Sequence, residues 1–221
     1  MRRRELVGAT VLAAAGLVGS LALGGKLAGQ DEDLPLEREA FYEVREDERD
    51  CAWPDCGGYW ISAVNRAKTL CHDGETADAC YVVDLEGDGD ATSPDLVKGL
   101  LATTNLPGHG PYGVLQSAGA WHGACGSTEP GWYGKVVDLG IVCVTEPCFD
   151  IAHLMLNRRL VEPASDLDLT GVADCVEGHD AAWQAFYRKG LFVRGVGEAY
   201  EVEGGADGLR IVVDEVFVPA W

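Results

Sequence analysis

Basic residues are scarce in this chain. It holds 17 Lys and Arg residues against 36 Asp and Glu residues, which gives a formal net charge of -19 at pH 7. Proteins that bind nucleic acids neutralise phosphates with clusters of Lys and Arg. The composition therefore excludes nucleic acid as a partner. The acidity itself is typical of a device for solubility or of an adaptation to salt.

Long apolar runs are also missing, with one exception at the N-terminus. Arg2 to Arg4 precede an uncharged apolar stretch from Leu6 to Gly25, and small residues follow it. This pattern predicts a signal peptide over residues 1–28. An uncleaved membrane anchor is the alternative, because the stretch approaches the roughly 20 residues that span a bilayer. We expect an exported protein, periplasmic, surface-bound or secreted, with no membrane contact beyond this segment.

The sequence contains none of the common catalytic motifs. No nucleophile elbow, zinc-protease motif, phosphate-binding loop or dinucleotide fingerprint occurs. The five histidines are scattered, and carboxylates are too frequent in so acidic a chain to mark a site. We expect no catalytic residue and no cofactor. An enzyme whose triad is assembled from distant positions is the alternative.

Eight cysteines are present, and all of them follow the apolar stretch. An even number of cysteines in an exported chain predicts a disulfide framework. A zinc site is the alternative, but no histidine occurs at matching positions near the two Cys-x4-Cys pairs. The predicted bridges are Cys51–Cys56, Cys71–Cys80, Cys125–Cys175 and Cys143–Cys148.

A pattern occurs twice along the chain. Cys51-x4-Cys56 is followed after eight residues by Asn65-Arg66, and Cys143-x4-Cys148 is followed after eight residues by Asn157-Arg158. Asparagine tolerates left-handed backbone, so both asparagines are expected to form turns. Such a repeat predicts one small domain made twice.

Further landmarks extend the repeat in both directions. Asp84 to Gly87 resembles Asp168 to Gly171, and Lys98-Gly99 resembles Lys189-Gly190. The predicted organisation is an acidic linker at residues 29–40, a first unit at 41–121, a connector at 122–131 and a second unit at 132–221.

The fold class predicted for each unit is mainly β with short helices. Tyr133 to Val144 is rich in Val and Ile and predicts a strand. Asp180 to Lys189 predicts a helix that Gly190 ends, and its counterpart would run from Ser93 to Gly99. The resulting β-β-β-α-β-β order is that of an OB-like barrel, made twice and stapled by disulfides. A duplicated α+β sandwich is the competing fold.

One acidic segment overlays the calcium loop of an EF-hand. Its candidate ligands have the oxygen side chains and the spacing that calcium requires, with glycine at the sixth position. Aspartate instead of glutamate at the last position and a preceding strand favour a solvated acidic turn. The candidate calcium ligands are Asp84, Glu86, Asp88, Asp90 and Asp95.

Three motifs resemble an uncharacterised family of exported bacterial proteins known only as a domain of unknown function. They are Cys51 to Tyr59, Cys80 to Leu85 and Gly140 to Asn157. The resemblance covers nearly the whole chain after the signal segment. It implies export, and it brings no activity, cofactor or catalytic residue. Phe149-Asp150 stands where the family pattern has Pro-Ser, which affects one turn.

These observations favour an exported, non-enzymatic binding or inhibitory module whose partner is an extracytoplasmic protein or a glycan. A hydrolase with a site between the units and a calcium-stabilised structural protein of the envelope are the alternatives. Scaffolds that vary in their loops usually place function there. We expect the partner to contact loops of the first unit, above all the Cys71–Cys80 hairpin and the Asp84–Asp95 turn. Two other variable loops, at His109 and at Glu201–Gly208, are also candidates.

Overall fold

The computed structural model describes residues 39–87, 94–175, 179–202 and 205–220. Within these ranges the protein is mainly β, as predicted, and contains one α-helix, α1 (His179–Lys189), and a short 3-10 turn at Thr170–Val172. The strands are β1 (Ala40–Glu46), β2 (Tyr59–Ala63), β3 (Thr69–Leu70), β4 (Thr76–Ala77), β5 (Cys80–Val82), β6 (Leu85–Glu86), β7 (Leu96–Leu106), β8 (Gly110–Gly123), β9 (Trp132–Asp138), β10 (Ile151–Met155), β11 (Val161–Ala164), β12 (Asp166–Asp168), β13 (Leu191–Val202) and β14 (Ala206–Pro219).

Twelve of these strands belong to one sheet. Its order is β11-β10-β9-β13-β14-β8-β7-β1-β2-β5, with β12 beside β14 and β6 beside β8, while β3 and β4 form a separate hairpin. The sheet is not closed, so the prediction of OB-like barrels is wrong. The reason is that the C-terminal ends of β8 and β14 pair with each other, at Trp121 with Pro219 and Gly123 with Phe217. The long hairpins β7–β8 and β13–β14 therefore join two halves of the sheet, here named the first half (β1 to β8) and the second half (β9 to β14).

The helix predicted from Asp180 is present as α1. Gly190 follows it with φ 77°, and its N–H donates to the Phe186 carbonyl at 3.0 Å, as expected of a glycine that ends a helix. The counterpart predicted over 93–99 is wrong for its described residues, because Leu96 begins strand β7. That strand pairs with β1 on one side and β8 on the other, and pairing on both sides overrides local helix propensity.

Each half has its own apolar core. In the first half, Ile61, Val82 and Leu115 have no exposed surface. In the second half, Val136 and Ile211 likewise have no exposed surface, and Phe186 of α1 packs in the same core. Full burial of such a side chain stabilises the fold by about 1.5–3 kcal/mol.

The strands of the two halves pair in the same order. Tyr42 of β1 lies opposite Ala63 of β2, as Gly134 of β9 lies opposite Met155 of β10. In both halves a short strand then runs parallel to the long hairpin, β6 beside β8 and β12 beside β14.

The pairing corrects one landmark of the repeat. Lys98 lies opposite Phe41, and Arg194 lies opposite Tyr133, with a register shift directly after each of these basic residues. Lys98-Gly99 therefore corresponds to Arg194-Gly195. Lys189-Gly190, the counterpart predicted from sequence, is the end of α1.

Asn65 ties the first half to the second. Its side-chain amide donates to the carbonyls of Tyr133 at 2.6 Å and Leu156 at 2.9 Å, and its Oδ1 accepts from the Tyr133 N–H at 2.9 Å. The residue has φ 59°, so the predicted turn conformation is present. The turn serves to aim the amide at backbone of the other half.

Asn157 makes the same contacts in the opposite direction. Its amide donates to the carbonyls of Phe41 at 2.7 Å and Val64 at 3.0 Å, and its Oδ1 accepts from the Phe41 N–H at 2.8 Å. Its φ is also 59°. The contact between the halves is therefore reciprocal, with each asparagine closing the first strand of the other half.

We expect Asn65→Ala and Asn157→Ala each to lower the free energy of unfolding by about 3–5 kcal/mol. Each change leaves backbone groups of the other half without their partners, and it puts alanine, which tolerates left-handed backbone less well than asparagine, at φ 59°. Urea unfolding of the oxidised protein measures the effect. Asn105→Ala, on an exposed position of β7, is the control and should cost less than about 0.5 kcal/mol. Equal costs at all three positions would contradict the role of the asparagines.

Candidate functional site

The described residues contain four disulfides, and their pairs are those that the sequence predicts. They join Cys51 to Cys56, Cys71 to Cys80, Cys125 to Cys175 and Cys143 to Cys148. The first of these closes the loop between β1 and β2, residues 47–58, here named the first clipped loop. The last closes the loop between β9 and β10, residues 139–150, here named the second clipped loop.

Arg49 holds the first clipped loop together and contacts strand β2 through one aromatic ring. Its guanidinium donates to both carboxylate oxygens of Asp47 at 2.8 Å and to the Asp55 carbonyl at 2.8 Å. It also lies 4.9 Å from the centre of the Trp60 ring, which is a cation–π contact. The hydrogen bond from Arg49 lowers the pKa of Asp47 to about 2.

Two tyrosines fasten the same loop from neighbouring strands. The hydroxyl of Tyr81 donates to the Pro54 carbonyl at 2.9 Å, and that of Tyr112 donates to Asp55 Oδ1 at 2.6 Å. Trp53 at the tip is 59% exposed, with its ring 6.5 Å from that of His109. Apart from this indole, the first clipped loop is polar, and contacts with Trp60, Tyr81 and Tyr112 hold it against the neighbouring strands.

The second clipped loop is apolar and exposed. Val142 is 93% exposed and Val144 is 99% exposed, on either side of Cys143. Leu139 and Ile141 are about half exposed. The sequence predicted a strand from Tyr133 to Val144, but β9 ends at Asp138. The prediction failed because β-branched residues favour extended backbone in loops as well as in strands.

Three of the groups that hold the first clipped loop, Asp47, Arg49 and Tyr81, have no counterparts around the second. Counted from the first cysteine of each pair, Leu139 stands in place of Asp47 and Ile141 in place of Arg49. The strand pairing likewise puts Pro163 in place of Tyr81, since Tyr81 lies opposite Trp60 and Pro163 lies opposite Ala152. The same sheet therefore carries the first clipped loop, which side chains of neighbouring strands hold in place, and the second clipped loop, whose tip is exposed to solvent.

The calcium candidates are distributed along β8. Glu86 accepts from the Gln116 side chain at 3.3 Å, whereas Asp95 accepts from the Gly123 N–H at 2.8 Å. Seven residues of strand separate those partners, roughly 20 Å. Asp84 accepts from the N–H of Leu85. Asp88 and Asp90 lie outside the described residues. Among the residues that are described, no group of three or more His, Cys, Asp or Glu side chains could hold a metal ion.

The most buried histidine is packed into the core of the second half. His153 is 1% exposed, its Nδ1 lies 3.4 Å from Glu162 Oε2, and its Nε2 contacts no other polar group. Its ring fills the space that a side chain at Gly134 would need, because a Cβ there would lie 2.0 Å from Nε2. Burial lowers the pKa of His153. This is a neutral core residue rather than an exposed proton carrier.

A groove of about 760 Å³ lies beside the first clipped loop. It belongs to the first half, whereas the predicted hydrolase site would lie between the halves. Two of its charged groups, Asp47 and Arg49, are paired with each other. Its other lining residues are Val44, Arg45, Glu46, Glu48, Trp60, Ala79, Pro94 and Asp95.

The loops predicted to contact a partner occupy several places. The Cys71–Cys80 segment carries the β3–β4 hairpin, and the His109 loop is the tight turn between β7 and β8. Residues 88–93 of the acidic turn and residues 203 and 204 of the Glu201–Gly208 loop lie outside the described residues. The exposed aliphatic side chains are concentrated elsewhere, in the second clipped loop. The signal in the sequence was Ile141 to Thr145, a β-branched run broken by a bridged cysteine.

Comparison with known proteins gives the family. The family described as Domain of unknown function (DUF6748) matches residues 40–221, and the chain belongs to it. No curated protein and no solved structure matches the chain. Among the described residues, no helix is long and apolar enough to cross a membrane.

We expect Asp47 to make stability depend on acid pH. Its pKa is about 2 in the folded protein and about 3.9 unfolded, so its stabilising contribution is present above pH 4 and is lost as the pH falls through 2. Asp47→Asn should therefore flatten the decline in unfolding free energy between pH 4 and pH 2. Glu129→Gln, at an exposed connector position, controls for the loss of one negative charge. A variant Asp47→Asn with the wild-type pH profile would contradict the assignment.

Proposed function

We propose that this member of the family is an exported, non-enzymatic binding protein that contacts its partner through the second clipped loop. The observation that carries the proposal is the exposure of Val142 and Val144, 93% and 99%, on a loop closed by a disulfide. Single apolar residues on a surface need no explanation, but aliphatic residues grouped at one rigid tip indicate an interaction site.

Export is supported by the chemistry of the cysteines. Four disulfides indicate an oxidising environment, since such bonds are rare where thiols are kept reduced. The predicted signal peptide at residues 1–28 lies outside the described residues and supplies the route in this proposal. Partner binding would then take place outside the cytoplasm.

A tandem duplication is the second part of the proposal. The shared pairing order and the reciprocal contacts of Asn65 and Asn157 support it. In this account the two copies have divided their tasks. The first clipped loop stays fastened through Arg49 and completes the scaffold, and the second has lost those fastenings and is left to bind.

The chemistry of the tip favours a protein over a glycan as the partner. Sugars are usually bound by stacking on aromatic rings, whereas the most exposed apolar side chains of the second clipped loop are Val142 and Val144, at 93% and 99%, against 39% for its one aromatic residue, Phe149. A hydrolase with a site between the halves is less well supported. The contact between the halves is filled by the two asparagines and by aromatic rings, with Phe192 4.7 Å from Trp121 and 5.5 Å from Phe41.

We expect the double variant Val142→Ser/Val144→Ser to keep its stability and lose its partner. The two side chains touch little, so the free energy of unfolding should change by less than about 0.5 kcal/mol per residue. Val136→Ala, at a fully buried position of the same half, should cost about 2 kcal/mol or more and shows the sensitivity of the assay.

Binding is measured by immobilising the oxidised chain without its signal segment and quantifying the secreted proteins of the source organism that it retains. The matched control is Asp50→Ser/Ala52→Ser, which changes the corresponding exposed positions of the first clipped loop. A protein retained by the wild type and by this control, but not by the valine variant, is the expected result. Retention that is equal on all three proteins would place the site elsewhere.

A further inference from the structure

The second clipped loop is held in shape before any partner arrives. The strands that carry it end in the pair Asp138 and Ile151, and the Leu139 N–H donates to the Asp150 carbonyl at 2.8 Å. Nearer the tip, the bridge from Cys143 to Cys148 brings their Cα atoms to 5.5 Å. A loop closed twice loses little conformational entropy on binding, which favours high affinity.

The charges around the tip point to a protein surface rather than a lipid surface. Asp138 and Glu146 are exposed on either side of the valines, and the whole chain has a net charge of -19. Surfaces that insert into membranes present Trp or Tyr with Lys and Arg, which attract anionic headgroups. An aliphatic tip with acidic flanks instead complements apolar pockets with a basic rim.

The backbone of the tip is not part of the sheet. Residues 141–145 are all described, and they belong to no strand or helix. Val142 and Val144 stand in solvent while Cys143 between them is bridged. A groove with main-chain hydrogen-bonding groups and pockets for small side chains would satisfy both features. The substrate clefts of endopeptidases have this design, and their primary pocket selects one side chain by size.

We propose, building on the binding function above, that the second clipped loop enters and blocks the substrate cleft of an extracytoplasmic endopeptidase that selects small aliphatic side chains. Val144 occupies the primary pocket, and the peptide bond to Thr145 lies at the catalytic centre. Val142 occupies a second small pocket on the same side of the cleft.

The bridge explains why the loop inhibits instead of being consumed. Hydrolysis between Val144 and Thr145 would add one water and leave a carboxylate on the first residue and an amine on the second. Both new ends lie between Cys143 and Cys148, so the disulfide keeps them joined. The tethered ends remain at high effective concentration in the cleft, which favours resynthesis of the bond over release.

The test uses pancreatic elastase and trypsin, each with a chromogenic peptide substrate. The oxidised chain should inhibit elastase in a concentration-dependent manner and should leave trypsin active. Val144→Lys should weaken inhibition of elastase at least tenfold, as for a central anchor residue, and should gain inhibition of trypsin, whose pocket takes lysine. Ala52→Lys, the corresponding change in the first clipped loop, should leave the inhibition of elastase unchanged. Coincident unfolding curves show that both variants are folded.

Absence of elastase inhibition by the wild type together with absence of trypsin inhibition by Val144→Lys would overturn the proposal. Cleavage of the loop with no loss of elastase activity would also overturn it, because the loop would then be a substrate. So would binding to phosphatidylcholine vesicles that the change Val142→Ser/Val144→Ser abolishes. The binding function is tested separately. If the chain does not inhibit peptidases but captures a partner through the two valines, the binding function stands and only the inhibitor proposal fails.

Discussion

The reciprocal pair of asparagine side chains is the constraint on which the rest of the structure depends. Asn65 satisfies backbone groups at the start of β9, and Asn157 satisfies backbone groups at the start of β1. Buried backbone groups without partners are costly. If either half formed a closed unit on its own, the backbone of the other half would therefore lose these hydrogen bonds. The pairing of β8 with β14 also joins the halves, and the result is one open sheet where the sequence predicted two barrels.

Because the two asparagines make the contact between the halves, the loops at the outer ends of the strands are not needed for it. The first clipped loop nevertheless has a structural role within its own half, because the hydroxyls of Tyr81 and Tyr112 and the ring of Trp60 hold it to neighbouring strands. The second clipped loop instead carries exposed aliphatic side chains, among them Val142 and Val144. Exposed valines do not stabilise the protein, which is why we propose a binding role for them, and the disulfide closes the loop that carries them.

The features that local sequence determines were predictable. Three of the four bridges join cysteines five or nine residues apart, and a glycine after an amphipathic segment ends α1. Predictions that needed the tertiary environment failed. Nothing local shows that β7 would be paired on both sides, or that β8 and β14 would join the halves. The candidate site was missed for a related reason. The two Cys-x4-Cys loops were interpreted as equal staples, and the informative difference, Leu139 and Ile141 against Asp47 and Arg49, needed the shared strand pairing to be recognised.

Hydrogen–deuterium exchange tests the division between a fastened loop and a binding loop most directly. The protein is measured alone and with an elastase whose catalytic serine is replaced by alanine, so that binding occurs without cleavage. The account predicts fast exchange of the amides of residues 141–145 in the free protein and strong slowing in the complex, with residues 47–58 unchanged. Slowing confined to the first clipped loop or to the Cys71–Cys80 hairpin, or no slowing anywhere, would contradict it.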